Sequence, residues 1–324
     1  MKNHLTIILI ILLIFLTGCS FAPTYVPEPQ PLEAGRLPLP DTTVEIKNLR
    51  SCTDSPSSVL HFNSNYPVTV LVHGCNGSAG RFRSLAQLYA FHGQKAVCFS
   101  YNDRDSLVDI SKQLITAIDT LSGHIKNHEL TVIGHSMGGL VARKAMELKN
   151  SSVLRRDDVK IKLVTVSAPL GGIDVASPCG YTWLRWLSLG VVPGLCWVVS
   201  GDNWFEITPQ SSFIQHPGPL LSSVTQYLKV VTDERNTCRR PSADGKCLED
   251  DYIFSLPEQY NPVIDSYPQL TNVVVKAGHV EIVGNKRVAP RKLLNILQQY
   301  KMLAPTPPQR QAAFERLLAE LYGR

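Results

Sequence analysis

The sequence predicts an α/β domain with a mostly parallel central sheet and helices on both faces. Three observations point there. Apolar strand-like runs alternate with helical patterns over most of the chain, which implies a parallel, doubly covered sheet. A Gly-X-Ser-X-Gly stretch sits between one such run and one such helix. A tryptophan-rich excursion then interrupts the alternation without replacing it.

The first strand, Tyr66 to Val72, runs into His73-Gly74. Gly80 to His92 reads as a helix, Lys95 to Tyr101 as the next strand, and Leu107 to Ile125 as a long helix with Leu114, Ile115, Ile118 and Leu121 on its apolar side. Strand 130–133 leads through Gly134-His135-Ser136-Met137-Gly138-Gly139 into helix 137–148. Ile161 to Val166 follows and runs into Ser167-Ala168-Pro169-Leu170-Gly171-Gly172. Tyr227 to Thr232 and Asn272 to Lys276 complete the strand set. A final helix after Pro305, Pro307 and Pro308 carries Phe314, Leu317, Leu318 and Leu321 on one face. That stripe must be buried, on the protein's own body by default, otherwise on a membrane or a partner.

A serine on a sharp strand-to-helix turn has its hydroxyl lifted above the sheet edge. Glycines flank it because a side chain there would strike the bent backbone. The helix starting at Met137 points its amides and its positive dipole end at any charge that develops on an attacked carbonyl.

The first residues suggest export. Lys2 and His4 precede an apolar run from Leu5 to Leu16, too short for a comfortable membrane span but suited to a secretory signal. Leu16-Thr17-Gly18-Cys19 follows it. Residues 21–40 carry Pro23, Pro27, Pro29, Pro31, Pro38 and Pro40, a composition that favours extended, hydrated chain and builds no core. The expected organisation is a signal at 1–18, a tether at 19–42, the α/β domain at 43–303 with an insertion at 173–222, and the last helix at 304–324.

Hydrophobic residues make up 44% of the chain and charged ones 18%, as in ordinary globular domains. The formal net charge of +5 falls to +4 without residues 1–18, too diffuse for a nucleic-acid partner. Export would permit disulfides. Cys238 and Cys247 flank a polar loop and are the first expected pair, with Cys179 and Cys196 second. Seven cysteines remain after Cys19, so one of Cys52, Cys75 and Cys98 is expected to be free or paired unexpectedly. No spacing suggests a metal site. His124 and His128, four apart, read as a solvated helix end.

His73-Gly74, the Ser136 turn, Ser167 to Gly172 and a late Gly278-His279 occur in the order found in α/β-hydrolase lipases and esterases. The chain resembles most the branch of bacterial lipases and GPI inositol-deacylase-like (PGAP1-like) proteins, which also carry a segment like Pro209-Gln210-Ser211-Ser212-Phe213. Leu16 to Cys19 resembles the lipobox of bacterial lipoproteins. That implies lipidation at Cys19, an N-terminal membrane anchor, and, with Ser20 following, the outer membrane facing the periplasm.

These resemblances imply a serine hydrolase cleaving carboxylic esters, with lipid-like esters as the expected substrates. Ser136 is the nucleophile and needs a base. His279 is the expected base, since it follows the last strand, where a loop returns an imidazole over the serine. For the acid, Asp233 ends a strand, but Asp250-Asp251-Tyr252-Ile253 resembles the Asp-Gly-X-Val segment of related lipases. The order of preference is Asp250, Asp251, Asp233, although Asp251 stands where the family has glycine. The amides of Cys75 and Met137 are the expected oxyanion hole.

All four tryptophans fall within 173–222. Trp183 and Trp186, with Leu170, are the expected substrate contacts, although a small buried subcore explains the same composition. No metal or organic cofactor is implied, and a monomer is expected. Acyl transfer on the same residues and a non-catalytic envelope scaffold are the alternative readings.

Overall fold

Val68–Val72 reads Val-Thr-Val-Leu-Val, and all five residues are buried. A strand apolar on both sides needs cover on both sides, and the molecule is layered accordingly. The computed structural model describes residues 36–156, 158–181, 188, 194, 196–197, 201–285 and 287–323. In chain order the strands are β1 (Thr42–Glu45), β2 (Leu49–Arg50), β3 (Val59–Phe62), β4 (Val68–Val72), β5 (Lys95–Phe99), β6 (Glu129–His135), β7 (Lys160–Val166), β8 (Val224–Asp233), β9 (Cys238–Pro241), β10 (Cys247–Asp250) and β11 (Leu270–Lys276). The α-helices are α1 (Arg83–Phe91), α2 (Leu107–Ser122), α3 (Met137–Ala145), α4 (Ser177–Gly180), α5 (Ser212–Gln215), α6 (Leu256–Gln259), α7 (Pro262–Asp265), α8 (Arg291–Gln299) and α9 (Gln311–Tyr322).

Seven strands form one sheet in the order β11-β8-β7-β6-β4-β5-β2. Neighbours run parallel except β2, which pairs antiparallel with β5 at one edge. Side chains alternate between two apolar layers. Val70, Val72, Val97 and Val132 pack with Leu114 and Ile118 of α2 and Leu140 of α3. Leu71, Cys98 and Ile133 pack on the other side with Leu88 of α1, Leu297 of α8 and Leu317 of α9. The expected mostly parallel sheet with helices on both faces is what forms.

Element ends follow local chemistry. α1 holds no β-branched residue, glycine or proline, and it stops at Gly93, whose φ of +73° and bond to the Ala90 carbonyl close the last turn. The apolar stripe of α9 packs on the protein's own body, with Phe314 5.3 Å from Phe91 between ring centroids. Two small antiparallel pairs, β1–β3 and β9–β10, lie outside the expected strand set.

Cys238–Cys247 and Cys179–Cys196 are disulfides, as expected. Cys52 pairs with Cys98 and ties the chain after β2 to β5. None of the described cysteines is free, so of the two outcomes expected among Cys52, Cys75 and Cys98, a free thiol or an unexpected pairing, the second holds. His124 and His128 do not share a helix face, because α2 ends at Ser122 and His128 has φ +57°. The His128 ring lies 2.9 Å from Asp158.

Candidate active site

β6 delivers Ser136 and α3 begins at the next residue. Ser136 has φ +56° and ψ −130°, a strained conformation for a residue with a side chain. Two close approaches hold it there. A Cβ on Gly134 would come within 2.6 Å of the Gly138 carbonyl carbon, and one on Gly138 within 2.8 Å of the Val72 carbonyl carbon. The helix N-terminus is thus pressed against the end of β4.

The turn after β4 lies over Ser136. A Cβ on Gly74 would meet Ser136 Cβ at 2.7 Å and Oγ at 3.2 Å. Cys75 follows in that turn, so its backbone and the first residue of α3, Met137, flank the serine. The turn is braced from behind. The His73 ring stacks on Tyr101 at 4.2 Å, and the Tyr101 hydroxyl donates to the His73 carbonyl. His73 Nδ1 donates to the Gly74 carbonyl at 2.9 Å. Burial pushes the His73 pKa down to about 4, against the pull of that carbonyl, so the ring is neutral at pH 7. One residue on, the Asn76 amide donates to the Asp103 carboxylate.

β11 and the turn after it supply His279. Its Nδ1 lies 2.9 Å from Glu234 Oε1 and 2.9 Å from Ser167 Oγ. His135, the residue before Ser136, donates from Nε2 to the His279 carbonyl at 2.9 Å, and the two rings sit 4.7 Å apart. Burial, then the nearby His279, holds the His135 pKa well below the usual histidine range, so its ring is neutral. His279 thus touches the residue that precedes Ser136. Neither Ser136 Oγ nor His279 Nε2 has a hydrogen-bond partner among the described residues. Catalytic bonds of this kind often tighten only with substrate bound.

The partner of His279 is Glu234, which corrects the expected acid. The Glu234 side chain is fully buried. Its Oε1 accepts from His279, from Ser167 Oγ at 2.6 Å and from Thr232 Oγ1 at 2.9 Å. Its Oε2 accepts the amides of Ile253 and Phe254 at 2.6 and 2.8 Å. Burial pushes the carboxyl pKa up, but His279, Ser167 and the Phe254 amide outweigh it and hold the pKa below the usual carboxylate range.

The three expected aspartates lie elsewhere. Asp250 sits on the exposed β9–β10 hairpin, because β10 turns its last residue to solvent. Asp233 faces away from His279 and pairs with Arg235 at 2.8 Å and Lys276 at 3.6 Å, since strand residues alternate sides. Asp251 is buried but bonds to backbone. Its carboxylate accepts the amides of Val280 and Glu281 and pairs with Arg239, and its carbonyl accepts the His279 amide. It therefore holds the turn that carries the imidazole. Leu170, an expected substrate contact, is a core residue 2% exposed, with its carbonyl bonded to Asn261. Trp183, Trp186 and Cys19 lie outside the described residues.

Sequence reasoning missed Glu234, Ser167 and Thr232. The signal for Glu234 was present as the second carboxylate of Asp233-Glu234 at the end of a strand. Chemically, the cluster offers a hydroxyl on a strained bend, an imidazole oriented by a buried anion, and backbone amides at a helix start. Nucleophilic acyl transfer uses these groups.

A family model described as PGAP1-like alpha/beta domain matches residues 99–176, which include Ser136. No curated protein matches the chain by sequence. Among solved structures, a Bacillus licheniformis lipase in its mature form is similar at 17% identity and TM-score 0.48, over 73% of this chain and 92% of that one. The Pyrococcus furiosus esterase Pf2001 is similar at 15% identity and TM-score 0.46, over 86% and 96%. A putative cell surface hydrolase from Lactobacillus plantarum gives 15% and 0.44, over 80% and 98%.

Proposed function

We propose that the chain is a serine hydrolase that cleaves carboxylic esters, lipid-like ones foremost, through an acyl-enzyme. Ser136 attacks the carbonyl carbon while His279 Nε2 takes the hydroxyl proton. Glu234 holds Nδ1–H and balances the imidazolium that forms. The amides of Met137 and Cys75 receive the oxyanion. The imidazolium then protonates the leaving alcohol. Water, deprotonated by the same ring, attacks the acyl-serine, releases the acid and restores Ser136.

The observation that carries this reading is the buried His279–Glu234 pair, in contact with His135, the residue that precedes a serine in the strained turn. The resemblance of the Ser136 turn and its neighbouring motifs to those of lipases and esterases supports esters as the substrate class.

The location is part of the proposal. Leu16 to Cys19 and the proline-rich stretch support a lipid-anchored, tethered enzyme at the cell envelope. The disulfides fit an oxidising compartment. Among the described residues no helix is long and apolar enough to cross a membrane.

A fluorophosphonate probe tests the chemistry. Wild type should label at one residue, and Ser136→Ala should not label. Unlabelled wild type, or equal labelling of Ser136→Ala, rejects the reading.

A further inference from the structure

Ser167 follows β7 in an unusual state. It is fully buried and has φ +47°, a region that suits glycine better than serine. Its hydroxyl lies among three polar partners: Glu234 Oε1 at 2.6 Å, Thr232 Oγ1 at 2.7 Å and His279 Nδ1 at 2.9 Å. The imidazole contact can only be N–H toward oxygen if Nε2 is to act as base, so the serine proton goes to the carboxylate. Thr232 in turn donates to the serine oxygen or to Glu234.

The backbone around Ser167 has a second role. The Val166 carbonyl accepts the Ser136 amide at 2.9 Å, and the Ser167 amide donates to the Val230 carbonyl at 2.9 Å. One dipeptide therefore holds the nucleophile's backbone with one residue and touches the base with the next.

We propose that Ser167 is a positioning residue of the proton relay, its hydroxyl locking the Glu234 carboxylate against His279 and sharing the carboxylate's charge. The proposal rests on the serine-hydrolase reading above. A carboxylate is held rigid when both its oxygens are filled, and Ser167, backed by Thr232, fills the position on Oε1 that His279 leaves open. Without the serine proton, more of the negative charge faces the imidazole. The protonated ring is then held more tightly, and the acid limb of the rate profile moves to higher pH. Besides Glu234, the ionisable group against the ring is His135, and the Asp251 carboxylate holds the amides of the next two residues, with Arg81 and Arg239 near it. They are unchanged in the variants below, so a shift is assignable to Ser167.

The test is kcat and KM for a short soluble p-nitrophenyl ester, measured across pH. The proteins are wild type, Ser167→Ala, Ser167→Gly and Thr232→Val. Both Ser167 variants should lose about 10- to 100-fold in kcat, with KM within about twofold and a raised acid limb, since a bond to a charged group is removed. Thr232→Val should lose less, in the same direction. Ser167→Gly is the decisive variant, because glycine accepts the backbone conformation and lacks only the side chain. A folded Ser167→Gly with wild-type kcat and pH limb overturns the proposal. Should the Ser167 variants not fold, an unaltered kcat and limb in Thr232→Val overturns it instead. Wild type that fails to label with a fluorophosphonate sinks the hydrolase reading itself, a result separate from labelled wild type with a normal Ser167→Gly.

Discussion

Glu234 stays ionised without water because five donors replace its hydration, one of them the imidazole it serves. Glu234→Gln keeps the shape but offers an amide where His279 needs an acceptor. The ring loses its enforced tautomer and the countercharge for its protonated form. We expect kcat to fall by about 10³- to 10⁴-fold, as when other triad acids become amides. Asp250→Asn and Asp233→Asn should stay within about twofold, since both carboxylates lie outside the relay. Steady-state kinetics on the three variants decides it, and a large loss in Asp250→Asn would return the acid to the hairpin. Ser136 and His279 were legible because a strand-to-helix turn and a post-strand loop leave local patterns. The acid was not. β8 is buried on both sides over most of its length, so no polar alternation fixes which of Asp233 and Glu234 faces inward.

At the scale of elements, the β9–β10 hairpin acts through its exit. Arg239 on β9 pairs with Asp251, which follows β10, and Asp251 caps the turn of His279, Val280 and Glu281. Asp251→Ala would leave two amides and a guanidinium short of an acceptor beside a buried turn. We expect a stability loss of about 2–4 kcal/mol in urea titration. We also expect kcat to drop more than KM changes, because the imidazole loses its fixed height over the sheet. Unchanged stability would mean that the His135 bond and the backbone bond to the Asp251 carbonyl hold the turn without the carboxylate. This hairpin was invisible to pattern reading, although Asp244-Gly245 is a turn dipeptide and Gly245 has φ +81°. Its residues are exposed or half-buried and form no apolar run. β1 is likewise exposed or half-buried, and β3 is only four residues long, with Leu60 and Phe62 buried between exposed neighbours. Six of the seven sheet strands were legible within a few residues from their apolar residues, with β6 extending to His135 and β8 to Asp233, whereas β2, two residues long, left no pattern to read.

For the whole molecule, parallel strands bring distant residues to one edge. His73, Ser136, Ser167, Glu234 and His279 each stand just past the carboxyl end of β4, β6, β7, β8 or β11, where α/β sheets gather their ligands. Burying that edge has a consequence for acid stability. His73 is neutral in the fold, with its pKa pushed from 6.5 down to about 4 by burial. The unfolded chain takes up this proton first as pH falls below 6.5, so unfolding gains over folding across the window from about 6.5 to 4. The full difference amounts to about 3 kcal/mol once pH is below 4. His135, also held neutral by burial, adds a loss of the same sign. Replacing His73 with asparagine keeps a donor near the Gly74 carbonyl and removes the titration. Urea midpoints at pH 7 and 4.5 should then lie closer together in His73→Asn than in wild type. Equal losses in the two proteins would mean that the His73 site opens to water before the molecule unfolds, and the turn over Ser136 would then be a locally mobile part of the catalytic edge rather than a fixed wall.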